Sequence, residues 1–137
     1  GAPPMVDLAA ELKTGNFVRA EILDGVDTCH DISDGGIAVA VAEMAMAGNI
    51  GCSIDIPANV DQAYAWLFGE DQGRYIVTVD ADKADAFVIK AGEAGVSANI
   101  IGKTGGTEVV LGGEAVAVAE LKNLHENWMP DYMAAGE

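Results

Sequence analysis

His30-Asp31-Ile32-Ser33-Asp34-Gly35-Gly36 runs directly into Ile37-Ala38-Val39-Ala40-Val41-Ala42-Glu43-Met44-Ala45, and the join between the two segments decides the fold. Upstream, Val26 to Ile32 reads as a short strand. Downstream, Ile37, Val41 and Met44 recur at i, i+4 and i+7, the spacing of one helical stripe. The join, from Asp31 to Gly36, carries two acids, a serine and two glycines. Asp and Ser side chains cap free N–H groups at a helix start, and glycine lets another backbone or a ligand come close. A helix N-terminus framed in this way can hold an anion, because its unpaired N–H groups and its dipole point outward. The same residues equally suit a plain capped helix whose acids stabilise its positive end. Asp34, Gly35 and Gly36 are the candidate binding positions of this turn.

Half of the 137 residues are apolar, enough for one packed core and too many for a disordered chain. Twenty-two acids against seven bases give a net charge of −15, which repels nucleic acid and anionic membrane surfaces. It also disfavours phosphate ligands unless helix termini, a metal or a partner's basic residues offset it. Cys29 and Cys52 have no CxxC partner and no histidines at metal-ligand spacing. Both read as buried thiols of a reducing, cytoplasmic compartment. No signal peptide and no membrane-spanning apolar run is present. Neither GxGxxG after the first strand nor GxxxxGK[ST] occurs, so a Rossmann or P-loop site is not supported.

In chain order, Gly1-Ala2-Pro3-Pro4 reads as the end of a linker, and so abrupt a start suggests a piece of something longer. Asp7 caps a short helical piece with Leu8 and Leu12. Thr14-Gly15-Asn16 is expected to break it, with a second piece from Phe17 to Leu23 ending at Asp24-Gly25. After the central helix, Ala47-Gly48-Asn49 is a C-terminal stop. Gly51 to Ile56 alternates as a half-buried strand, with Cys52, Ile54 and Ile56 on one face. Asn59 to Leu67 reads as a short helix with Ala63, Trp66 and Leu67 inward. Tyr75 to Asp80 is a strand carrying Tyr75, Val77 and Val79 on one face. Ala81-Asp82 caps a helix over Lys83 to Ala94, with the stripe Ala84, Phe87, Val88 and Ala91, closed by Gly95. Val96 to Ile101 reads as a strand and Gly102 to Gly106 as a glycine-rich turn. Thr107–Leu111 and Glu114–Val118 form a hairpin across Gly112-Gly113. A last helix uses Leu121, Leu124 and Trp128 and ends before Pro130. The alternation implies an α/β fold, layered α/β/α, and the hairpin makes its sheet mixed rather than fully parallel.

Glu70-Asp71-Gln72-Gly73-Arg74 forms a second constellation, bounded by Gly69 and Gly73 and set between a helix and a core strand. Carboxylate, carboxamide and guanidinium together suit recognition of a polar ligand. They suit equally an internal network in which Arg74 pairs with Glu70 or Asp71 and braces the loop. Glu70, Asp71, Gln72 and Arg74 are therefore candidate substrate- or nucleotide-binding residues.

Taken together, His30–Met44 and Leu67–Asp80 resemble the C-terminal domain of the aminoimidazole ribonucleotide synthetase superfamily, within it the phosphoribosylformylglycinamidine synthase family. The family runs HD-[IV]-SDGG-[LI]-A-x-A-x-x-E-M and L-F-[GS]-E-S-Q-G-R-Y-x-V correspond to His30–Ala38 with Glu43-Met44, and to Leu67–Tyr75. Pro3-Pro4-x-x-Asp7-Leu8, Phe17-Val18-Arg19 and Ile101-Gly102-Lys103 also look like the family, so the likeness covers nearly the whole chain. It implies a linker and N-terminal helical segment over residues 1–25 and a synthetase-type α/β domain over 26–137. It further implies a ligase acting in purine synthesis: ATP-dependent amidation of formylglycinamide ribonucleotide by ammonia drawn from glutamine. ATP and magnesium would serve the parent enzyme, with none expected in this domain alone. The implied partners are the parent's other domains, a glutaminase subunit and a small bridging subunit. The family's catalytic histidines, nucleotide lysine and most magnesium ligands belong to other domains, so no catalytic or metal residue is assigned here. The opening prolines and Trp128–Met133 resemble the last of four domains, and the short tail leans toward the form that is separate from its glutaminase. Asp71 stands where serine is usual, and an added carboxylate beside Glu70 repels phosphate, which favours a structural role for the loop. Two other readings compete: a superfamily kinase or synthetase of the thiamine monophosphate or selenophosphate type, and a non-catalytic docking module for the glutaminase.

Overall fold

The central helix is where the chain's apolar residues converge. Ile37, Val41 and Ala45 meet Cys52, Ile54, Val109 and Val118 in one buried cluster, with Ile32, Trp66, Ile76, Ile101 and Leu121 packed around it. The computed structural model describes residues 6–26 and 28–135. Its elements are α1 (Leu8–Leu23), β1 (Thr28–Asp31), α2 (Gly36–Gly48), β2 (Cys52–Ile54), α3 (Ala63–Phe68), β3 (Tyr75–Thr78), α4 (Ala84–Glu93), β4 (Gly102–Thr104), β5 (Glu108–Leu111), β6 (Glu114–Ala117) and α5 (Val118–Ala134). The proline-rich opening, Asp27 of the expected first strand, and Gly136-Glu137 lie outside the described residues.

The fold is α/β, and its main sheet is mixed, in the order β4-β2-β5-β6. β2 runs parallel to β5 and antiparallel to β4, and the β5–β6 hairpin turns at Gly112-Gly113, both at positive φ. Beside it β1 and β3 form a second, two-stranded antiparallel sheet that pairs His30 with Ile76 and Asp31 with Tyr75. That register places Asp31, at the end of β1, directly opposite the residue that follows Arg74. α2 touches both sheets, so the turn at its start is held from several sides.

Four expectations need correction. α1 is one continuous helix, capped by the Asp7 carboxylate at the Ala9 and Ala10 N–H groups, and Thr14-Gly15-Asn16 lies inside it. A helical glycine costs only about 1 kcal/mol against alanine. Tertiary contacts beyond it outweigh that: Phe17 meets Phe87 edge-on at 5.6 Å, Val18 is buried, and the buried Glu21 pairs with Lys90 at 2.8 Å. Val96–Ile101 is no strand. The strand falls at β4, inside the segment read as a turn, because Gly102 pairs with Ile54 where a Cβ would strike the Ser53 carbonyl oxygen. Ile101 still contributes, since its carbonyl accepts from the Asp55 N–H at 2.8 Å. α5 does not stop before Pro130 but carries it internally, and Leu124 and Trp128 are each 62% exposed. α4 begins after Lys83 without a side-chain cap; the Asp80 carboxylate instead pairs with Lys83 at 2.6 Å.

Smaller differences follow from the same packing. α3 is shorter than expected, with Trp66 and Leu67 half-buried and Ala63 exposed. On β3 it is Ile76 that faces the core cluster, leaving Tyr75 exposed. Cys52 is buried and Cys29 half-buried, both free thiols whose pKa burial raises, with the Asp31 charge adding to the rise at Cys29.

Two glycine substitutions test this architecture by urea unfolding. Gly15→Ala meets no atom within 4 Å in a helical backbone and should stabilise the chain by roughly 0.5–1 kcal/mol. Gly102→Ala drives a methyl into the β2 backbone and should cost at least about 2 kcal/mol.

Candidate functional site

Gly35 and Gly36 open α2 with φ of +80° and +66°, two successive left-handed residues that only glycine adopts without strain. The neighbouring acids and serine do not cap the helix as their types suggest. Ser33 turns back and its hydroxyl donates to Asp31 Oδ2 at 2.5 Å. The Gly35 N–H is met from across the fold, donating to Glu70 Oε1 at 2.9 Å. A Cβ on Gly36 would lie 2.6 Å from the Leu67 carbonyl oxygen and 2.8 Å from Phe68 Cα. The close approach that the paired glycines permit is therefore made by the end of α3. The carboxylate of Glu70 stands where an anion bound at the helix N-terminus would sit.

The Glu70–Arg74 loop is braced by its own backbone. Arg74 Nη2 donates to the Gly69 carbonyl at 2.5 Å and Nε to the Asp71 carbonyl at 3.4 Å, with Asp71 Oδ2 at 3.7 Å. Arg74 does not pair with Glu70, which is committed to Gly35. The Arg74 carbonyl accepts from the Ile32 N–H at 2.9 Å, joining the loop to the strand that precedes the turn. On the other side of β1, His30 Nε2 lies 2.9 Å from Glu43 Oε2 of α2, and Nδ1 lies 2.6 Å from the Asp31 carbonyl. The ring thus ties the end of β1 to α2. Asp31 titrates below the usual carboxylate range, chiefly because Ser33 donates to its charged form, then through a backbone hydrogen bond and the nearby His30.

The two motifs share one open cavity of about 650 Å³. Asp34, Glu70, Gln72 and Arg74 line it, whereas Gly35, Gly36 and Asp71 are not among its lining residues. Its remaining wall is α1, through Leu8, Glu11, Leu12 and Gly15. The sequence reading assigns none of these α1 residues to a site, although their i, i+3, i+4 and i+7 spacing marks one helix face. Glu11 Oε1 is buried and has no hydrogen-bond partner among the described residues.

The lining does not fit a nucleotide triphosphate. Carboxylates of Glu11, Asp31, Asp34 and Glu70 surround the cavity, the single guanidinium is turned to its own loop, and the Gly35 N–H is already taken. Among the described residues, no group of three His, Cys, Asp or Glu side chains is arranged to hold a metal ion.

The family model described as AIR synthase related protein, C-terminal domain, matches residues 1–113. The chain belongs to that family. Among relatives of this AIR synthase-type domain, the phosphoribosylformylglycinamidine synthase subunit PurL of Parvibaculum lavamentivorans is 55% identical over 137 residues, covering 98% of this chain and 18% of that protein. The subunit PurL of Methylocella silvestris is 53% identical over the same length, with the same coverage. The chain thus spans under a fifth of the length of these curated relatives. Among solved structures, Thermotoga maritima PurL complexed with FGAR superposes with a TM-score of 0.74 at 20% identity, covering 86% of this chain and 22% of that one. PurLQS from Thermotoga maritima gives 0.74 at 20% identity, covering 88% and 23%, so the AIR synthase-type fold is shared.

Three variants probe the junction. Gly36→Ala combines a strained φ with a collision against backbone and should cost roughly 2–5 kcal/mol in urea unfolding, far more than Gly15→Ala changes it. Arg74→Ala releases the loop and should cost about 1–2 kcal/mol, little of it restored by lysine, which cannot reproduce the forked contacts. Ser33→Ala removes the main cause of the low Asp31 pKa. Because that pKa is depressed in the folded chain, the linked stability is present above the unfolded carboxylate pKa and lost as pH falls through the folded one. The variant should therefore raise the Asp31 midpoint followed by NMR and lose less stability on acidification.

Proposed function

We propose that this chain is the C-terminal-type α/β domain of a phosphoribosylformylglycinamidine synthase subunit. Its boundaries would be a linker and helical segment over residues 1–25 and the domain proper over 26–137. The parent protein would carry out ATP-dependent amidation of formylglycinamide ribonucleotide with glutamine-derived ammonia. The observation that carries the reading is the hydrogen bond from the Gly35 N–H to Glu70, which joins the two motifs that resemble the family into one site. The synthase names of relatives above 50% identity support it, and they do not favour the kinase or selenophosphate alternatives.

In this reading the domain is a wall of the site and not its chemical centre. Asp34 and Gln72, which reach the cavity without a bracing role, are the candidate contacts to a polar substrate. Gly35, Gly36, Glu70, Asp71 and Arg74 shape the turn and loop that place them. ATP and magnesium would be held by the parent's other domains, since the acidic lining here repels a polyphosphate and, among the described residues, no three His, Cys, Asp or Glu side chains are arranged to hold a metal ion. A glutaminase subunit and a small bridging subunit would be its partners in the cytoplasm.

Purified chain should hydrolyse no ATP and form no formylglycinamidine, while the parent protein turns over. In the parent, Gln72→Ala should raise the KM for formylglycinamide ribonucleotide by roughly tenfold or more, the loss of one or two polar contacts. Turnover by the homogeneous chain, or a Gln72 variant with unchanged kinetics, would overturn the corresponding part of the reading.

A further inference from the structure

The N-terminal part of α5 packs into the core through Val118 and Leu121, but its second half leaves the body of the domain. There Leu124, Trp128, Met129, Tyr132 and Met133 are each more than half exposed. Leu124, Trp128 and Tyr132 fall at i, i+4 and i+8 on one side of the helix, with Met129 and Met133 in the adjacent row. The Trp128 and Tyr132 rings stack, with centroids 5.6 Å apart and planes 10° from parallel. So large a contiguous apolar and aromatic surface is unusual for a chain that ends its contacts at solvent.

Two observations indicate what covers it. The family model stops at Gly113, before β6 and α5, whereas the synthase relatives match 98% of the chain, α5 included. The helix is therefore shared with the long synthase polypeptides beyond what the general domain model describes, and more than four-fifths of their length lies outside this chain. A second copy is a poor occupant, because each copy carries a net charge of −15. Of the charged residues on α5, three are acids, Glu120, Glu126 and Asp131, against Lys122 and the single His125; this acidic balance suits a groove with a basic rim, and the stacked aromatic pair accepts a cation over its face.

We infer that the second half of α5 docks, through Leu124, Trp128 and Tyr132, into an apolar, basic-rimmed groove on the remainder of its own parent polypeptide. The inference rests on the reading of the chain as part of a longer synthase subunit, but not on which reaction that subunit performs. Hydrogen exchange of the full-length parent, resolved by peptide and repeated over a dilution series, tests it. Peptides from 124–134 should be as protected as those from 118–123 at every concentration. Trp128→Asp combined with Tyr132→Asp should accelerate exchange in 124–134 by about tenfold or more and leave the α2 peptides unchanged. Exchange in 124–134 at the rate of an unpacked helix would overturn the inference. Protection that disappears on dilution would also overturn it and name a second copy as the occupant. Protected α5 in a parent that makes no formylglycinamidine would sustain the docking while refuting the proposed function.

Discussion

The end of α3 crosses over Gly36 so closely that there is no room for a single methyl group, and the candidate site depends on that crossing. Because Leu67 and Phe68 lie against the first turn of α2, the loop that follows them is delivered to the same place. Glu70 then reaches the Gly35 N–H, and Arg74 accepts from Ile32. Two motifs whose joined residues, Gly35 and Glu70, lie 35 positions apart become one surface through a backbone contact. Any side chain at Gly36 would push α3 away and carry the loop with it.

The electrostatics of the junction favour order over ligand capture. A helix N-terminus offers N–H groups and partial positive charge, and here a carboxylate of the same chain has taken that position. Arg74, the one guanidinium lining the cavity among the described residues, is spent on carbonyls of its own loop. What the two motifs leave facing the open volume is acidic and amide-bearing, with Leu8 and Leu12 of α1 on the opposite wall. Such motif residues complement polar or cationic groups better than they complement phosphate.

α1 and α5 show how much of the molecule is arranged for packing beyond the central cluster. α1 is anchored by Phe17 on Phe87 and by Lys90, whose amine reaches both Glu21 and Asp24. Those acids raise the Lys90 pKa, chiefly through the hydrogen bonds that they accept. Its other face, Leu8 and Leu12, stays open along the cavity. α5 is anchored at one end only. Both helices present apolar residues that a chain of this size has no further core to cover.

How far the sequence could be read depended on whether the information was local. The helix after Gly36, the Cys52–Ile54 alternation, the Gly112-Gly113 hairpin and the two long motifs follow from spacing and residue type, because periodicity and turn chemistry act over a few residues. The order of helices and strands followed as well, and with it the α/β class and the mixed sheet. Local signals failed where distant contacts overrode them. Gly15 remains helical because Phe17, Val18 and Glu21 are held by partners far along the chain. Gly102 is a strand residue because β2 comes too close for any side chain. Pro130 stays within α5, where the sequence placed a stop. The site divides in the same way. Its residue types were legible in the chain, but that Glu70 serves Gly35, that Arg74 braces its own loop, and that α1 supplies the third wall were decided by tertiary structure. Only the folded chain sets which donors are left free, and that count is a sum over contacts between segments that the sequence keeps apart.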